Sequence, residues 1–136
     1  MPAGGGEAIQ ITRNEGDVAK ESADGKWLYY QKGWPARASV WRMPIDGGEE
    51  TKILGGVLPW GAWTPGKEGI YFFTAPDKEG HKDLSIYEFA TGKTRKILTL
   101  ERQLGWGLAV SPDGRTILYS QLDDAGSELM LVENFR

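Results

Sequence analysis

Ser111-Pro-Asp-Gly-Arg-Thr-Ile-Leu-Tyr119 is a serine-led turn that runs straight into β-branched, apolar and aromatic residues. Asp-Gly supplies the positive φ of a tight hairpin, and the run after it has strand rather than helix chemistry. The same nine positions recur without gaps at Ser22-Ala-Asp-Gly-Lys-Trp-Leu-Tyr-Tyr30 and, with Pro-Gly as the turn pair, at Thr64-Pro-Gly-Lys-Glu-Gly-Ile-Tyr-Phe72. The copies begin 42 and 47 residues apart (22 to 64, 64 to 111).

A second motif recurs downstream in the same order. Val40-Trp-Arg-Met-Pro-Ile-Asp-Gly-Gly48 is followed by Lys52-Ile-Leu54, and Leu84-Ser-Ile-Tyr-Glu-Phe-Ala-Thr-Gly92 by Lys96-Ile-Leu98. The glycine ends one strand and the next apolar pair begins another, so each unit predicts four short strands. The first is Asp17–Ser22, Val57–Thr64 or Leu104–Ser111, and the second Lys26–Gln31, Gly69–Thr74 or Arg115–Gln121. The third is Ala38–Ile45, Asp83–Phe89 or Glu128–Glu133, and the fourth Glu50–Leu54 or Thr94–Thr99.

Four antiparallel strands repeated every ~40–45 residues are the pattern of a β-propeller blade, so the expected class is all-β with three blades. Residues 15–55, 56–100 and 101–136 are the expected blades, the last without its outer strand, and residues 1–14 are the expected outer strand of a closing blade. Gly5-Gly6-Glu7-Ala-Ile-Gln-Ile11 matches Gly47-Gly48-Glu49-Glu-Thr-Lys-Ile53 position by position. Joining Arg136 to Met1 of a second copy would place Ser111 and the next Ser22 47 residues apart, inside the spacing seen within the chain. Propellers typically have 4–8 blades, so three should not close a ring alone. The expectation is a homodimer of six blades, with Ile9, Gln10, Ile11 and Thr12 pairing against Leu129, Met130, Leu131 and Val132 of the partner.

These residues carry a resemblance. Ser111-Pro-Asp-Gly-Arg-Thr-Ile-Leu-Tyr119 resembles the WD40-like PD40 repeat of TolB-type six-bladed propellers, and Gly5-Gly6-Glu7 with Ile9-Gln-Ile-Thr12 resembles the outer strand and blade junction of those repeats. The stretch from Trp106 to Arg136 is similar to the C-terminal blade of bacterial multidomain regulators, in which a winged-helix or kinase domain precedes the propeller. The resemblance implies the propeller fold, which hosts binding scaffolds and enzymes alike. It carries over no kinase or DNA-binding activity, because those domains are not in this sequence.

Composition narrows the function classes. Among 136 residues there are no cysteines, which excludes disulfide frameworks, thiolate metal sites and cysteine nucleophiles. His81 is the sole histidine, so neither a metal site nor any cofactor is expected. Sixteen Lys and Arg against 19 Asp and Glu, net charge −3, give no footprint for nucleic acid or an anionic membrane. No apolar run approaches the ~18 residues of a membrane span, so a soluble chain is expected, cytoplasmic or periplasmic.

There is no G-x-S-x-G elbow, and the blade-leading serines sit where a hydroxyl caps its own turn. No catalytic residues are expected. Trp27, Tyr29, Tyr30, Trp41, Trp63, Tyr71, Phe72, Phe73, Tyr87, Phe89 and Tyr119 fall in predicted strands and should fill the space between blades. Trp34, Trp60 and Trp106 fall instead in loop or strand-entry positions that propeller topology gathers around the channel mouth. There they would plug the channel, pack between blades, or stack on a ligand with Arg37, Lys20 and Glu21 as polar partners. The expected function is a non-enzymatic interaction or sensor module that binds a ligand or peptide at that mouth. The alternatives are a purely structural or engineered fragment whose one property is self-assembly and, third, a propeller glycan-active enzyme.

Overall fold

A computed structural model of the chain describes residues 4–34, 37–123 and 126–134. Pro35, Asp124 and the closing Phe135-Arg136 lie outside the described residues. The described chain is all-β. One four-stranded antiparallel sheet comprises β1 (Asp17–Glu21), β2 (Trp27–Lys32), β3 (Ala38–Pro44) and β4 (Thr51–Val57) in that order. A second comprises β5 (Trp63–Pro65), β6 (Gly69–Phe73), β7 (Lys82–Glu88) and β8 (Lys93–Leu100). The third has three strands, β9 (Leu104–Val110), β10 (Thr116–Asp123) and β11 (Gly126–Glu133).

Two turns reproduce each other atom for atom. The Ser22 Oγ donates to Asp24 Oδ1 at 2.6 Å and accepts the Trp27 amide at 2.9 Å, while Ser111 Oγ donates to Asp113 Oδ1 at 2.5 Å and accepts the Thr116 amide at 3.0 Å. Gly25 and Gly114 both stand at φ 69°, the left-handed conformation that Asp-Gly was expected to supply. In the middle unit, which lacks Asp-Gly, the turn closes instead through the Gly66 amide donating to the Gly69 carbonyl at 2.8 Å.

Strand alternation sends the two faces of each sheet to different neighbours. On β6, Ile70 and Phe72 pack with Tyr29, Val40, Val57 and Trp63 between the first and second sheets, while Tyr71 and Phe73 pack with Leu108, Ile117 and Tyr119 between the second and third. Every residue of β6 is therefore buried. Trp63, fully buried, donates its indole N–H to the Gln31 side-chain oxygen at 3.2 Å, which satisfies the amide acceptor across the first interface.

The structure corrects the sequence reading at three places. The expected strand Val57–Thr64 is only Trp63–Pro65, because Val57 ends β4 and residues 58–62 loop out between two anchors, the Leu58 amide on the Phe73 carbonyl and the Phe73 amide on the Ala62 carbonyl. Trp60 and Gly61 are left-handed there, at φ 70° and 71°, which a continuous strand cannot accommodate. The last strand begins at Gly126 rather than Glu128. Phe89 lies past the end of β7 and is 38% exposed, stacking on Tyr29 of the first sheet at 6.1 Å at the rim of that interface rather than within its core.

Candidate functional site

All three innermost strands are irregular where the chain enters them. β1 has a register break between Asp17 and Lys20 with Val18 left-handed at φ 48°, the second sheet has the 58–62 loop, and the third has a break opposite Tyr119 to Gln121. These irregularities re-aim side chains outward. Ser120 Oγ holds the third by donating to the Trp106 carbonyl at 2.6 Å, and Gly107, at φ 97°, completes the bend. At the second, a Cβ on Gly61 would stand 3.0 Å from Val18 Cγ1, so glycine keeps β1 close to the loop.

The consequence is an aromatic surface drawn from all three sheets. The ring centroids of Trp34 and Trp60 lie 3.8 Å apart at 87°, and those of Trp60 and Trp106 lie 5.0 Å apart at 85°. The rings meet edge to face, which leaves large parts of each indole uncovered. Trp34, Trp60 and Trp106 are 54%, 55% and 70% exposed. They therefore do not pack between the sheets of this chain.

Of the polar residues expected beside them, Arg37 lies in the same loop as Trp34 and is exposed. Lys20 is turned inward, donating from Nζ to the Trp63 carbonyl at 2.7 Å and lying 5.4 Å from that ring, and its burial lowers its pKa. Glu21 is at the other end of β1, paired in register with Leu28, and its carboxylate sits beside Gly25. The structure instead brings Glu15 and Asp17 to Trp34, around a cleft of about 220 Å³. Sequence reasoning missed both. The available signal was two acids at the entry to the innermost strand that pairs with the Trp34 arm.

Sequence reasoning also passed over Asp77 and Glu79, which converge with His81 in the β6–β7 loop. Asp77 Oδ1 accepts the amides of Glu79 and His81, each at 2.9 Å, and the His81 ring lies 3.5 Å and 3.4 Å from the two carboxylates. The spacing D-x-E-x-H was the legible signal. His81 thus sits in a loop with its ring facing two carboxylates.

The outer flank of the first sheet carries a partly buried polar network. Tyr30 O–H and Lys32 Nζ donate to the two oxygens of Glu50, each at 2.5 Å, and Lys32 also lies 4.4 Å from the Trp41 ring. The Lys32 bond, then the Tyr30 bond, holds the Glu50 carboxyl below its usual 4.5, while burial pushes the Tyr30 hydroxyl up. A lowered folded value stabilises above the unfolded pKa and is lost as pH falls through the folded one. Between about pH 5 and pH 3, the urea midpoint of the parent chain should therefore fall more steeply than that of Glu50→Gln. Parallel slopes would remove Glu50 from the stability account.

The assembly residues have a definite placement. Among the described residues, no backbone hydrogen bond ties Ile9, Gln10 or Ile11 to a strand, and Ile9 is largely exposed. This segment lies along the flank of the first sheet, sharing a cleft with Met43, Ile45 and the β3–β4 turn. Gly5 and Gly6 stand at φ 96° and 141°, and Gly47 and Gly48 at 89° and 141°, so the matched sequences also share a backbone. At the other end, β11 is the edge of its sheet. Met130 and Val132 pack inward against the second sheet, whereas Leu129 and Leu131 face away and are 72% and 57% exposed. The positions they occupy in the repeat are filled in the second sheet by Leu84 and Ile86, which the third sheet covers to 0% and 1%.

The structure is similar to solved TolB propellers. It covers 99% of this chain and 52% of a protein assigned as TolB from Agrobacterium tumefaciens, with TM-score 0.74 and 19% identity. It covers 89% of this chain and 30% of TolB from Acinetobacter baumannii, with TM-score 0.69 and 13% identity. No family model matches the sequence, and no curated protein matches it. The fold is thus that of TolB-type β-propeller blades, and the chain spans about half the length of the first of these proteins. Among the described residues, no helix is long and apolar enough to cross a membrane.

Proposed function

We propose that this chain is a non-enzymatic interaction module that becomes a closed six-bladed ring by pairing head to tail with a second copy. Each N-terminal segment supplies the outer strand of the partner's third blade. The observation that carries the reading is the pair of unmet surfaces: an N-terminal segment whose Gly5-Gly6 repeats the backbone angles of the Gly47-Gly48 turn before an outer strand but which joins no ladder among the described residues, and a sheet edge whose apolar face is bare where the repeat is otherwise covered. Unpaired edges and exposed apolar faces favour association, and a two-fold operator satisfies both ends at once. The exposed aromatic surface of Trp34, Trp60 and Trp106 is the binding face of the assembled ring. The same reading gives the chain no catalytic role: Ser22 and Ser111 are spent on their turns, and the partners of His81 are carboxylates.

The register follows from the repeat. Arg42 pairs with Thr51 and Ile86 with Arg95, so the equivalent residues, Leu131 of one protomer and Ile9 of its partner, should lie opposite each other. Directly opposed residues in antiparallel strands are about 4.5–5.5 Å apart, within disulfide reach. Since the chain has no cysteine, Ile9→Cys combined with Leu131→Cys should form a covalent dimer on oxidation, and the offset pair Ile9→Cys with Leu129→Cys should not. Equal yields from both pairs, or none from either, would contradict this pairing.

A further inference from the structure

Resting on the reading of the Trp34 face as a binding surface, we infer that the cleft formed by Glu15, Asp17 and Trp34 takes the guanidinium of an arginine side chain presented by a partner protein segment. The cleft is small, about 220 Å³, and its remaining walls are Gly16, Gly33, Gln31 and Lys32. Its lining carries two acids against one cation, the Lys32 ammonium, which Glu50 engages at 2.5 Å on the other side, while the Gln31 side-chain oxygen accepts the Trp63 indole N–H. Asp17 Oδ1 accepts the Val18 amide at 2.8 Å, and its second oxygen and the Glu15 carboxylate have no ion-pair partner among the described residues. Arg37, on the same loop, is exposed and pairs with neither acid.

Two carboxylates beside a half-exposed indole select a planar cation. Guanidinium stacks on an aromatic face, is weakly hydrated, and presents a fork of donors to carboxylate oxygens, whereas an ammonium is compact and strongly hydrated. An arginine is therefore favoured over a lysine. Beside the cleft, Val18 is left-handed, and Gly61 lies close against its Cγ1.

The test uses the full chain and three capped tripeptides, Gly-Arg-Gly, Gly-Lys-Gly and Gly-citrulline-Gly, titrated while following the amides of Gly16 and Gly33 and the indole N–H signals by NMR. The arginine peptide should shift the Gly16, Gly33 and Trp34 signals, with the citrulline peptide weaker by about tenfold and the lysine peptide in between. Trp34→Leu and Asp17→Asn should each weaken arginine binding by about threefold to tenfold, and Trp106→Ala by less than twofold. Equal binding of arginine and citrulline, or arginine shifts indifferent to Trp34→Leu and Asp17→Asn, would overturn the assignment. A neutral tryptophan or proline peptide that moves Trp60 and Trp106 while the arginine peptide moves nothing would also overturn it, and would leave the loop face standing as a binding surface.

Discussion

Removing residues 1–14 is expected to halve the molar mass of the particle in solution, from about 30 kDa to about 13–14 kDa, while leaving the all-β circular dichroism in place, since the full chain is 15.0 kDa. Among the described residues of the deleted segment, 4–14, none contributes to the ladders of the three sheets, so the protomer should fold without it. What it loses is the strand proposed to cover the partner's β11. Burying Leu129 and Leu131 is worth roughly 1.5–3 kcal/mol for each side chain, and two-fold symmetry doubles every such term. The same variant should be more prone to aggregate, because both apolar ends remain bare. A truncated chain that keeps the mass of the parent would show that another surface holds the assembly.

Trp63→Ala should destabilise the fold by about 3–5 kcal/mol, the usual cost of emptying a fully buried large aromatic site. Three losses coincide at this position. The cavity would open between the first and second sheets; the buried Gln31 amide would lose its indole donor; and the Lys20 ammonium would lose the ring it lies beside. A melting temperature lower by on the order of 10 °C or more is expected for a chain of this size. Trp63→Phe keeps an aromatic ring but removes the N–H and three heavy atoms of the indole, so its cost should be smaller, about 1.5–3 kcal/mol. Equal costs for the two substitutions would mean that the hydrogen bond, rather than the packing, dominates.

The fold was legible because the information repeats. One Asp-Gly turn is a weak signal, but Ser22 and Ser111 lead the same nine-residue pattern, and the structure gives the two turns the same hydrogen bonds and the same glycine φ. The match of Gly5-Gly6 to Gly47-Gly48 likewise extends from residue identity to backbone angle. Illegibility begins where the repeat is broken by local strain. Nothing in Leu58-Pro-Trp-Gly-Ala62 announces that Trp60 itself will be left-handed, since tryptophan rarely is, so the expected strand ran through it.

The candidate site was legible in part for the same reason. Trp34, Trp60 and Trp106 could be set apart by their loop and strand-entry positions, and they do meet. Their polar neighbours could not be chosen from position alone. Lys20 and Glu21 are adjacent in sequence, but alternation and the register break on β1 send one inward to the Trp63 carbonyl and leave the other at the far end of the strand. Glu15 and Asp17 reach the Trp34 cleft because β1 begins antiparallel to the end of β2, a relation visible only once the register is known.

The central claim, that two copies close one ring, is tested most directly by the mass of the unmodified chain, measured by light scattering behind size exclusion over a tenfold range of concentration. A single species of about 30 kDa, twice 15.0 kDa, is the predicted result. A monodisperse species at 15.0 kDa across that range would contradict it.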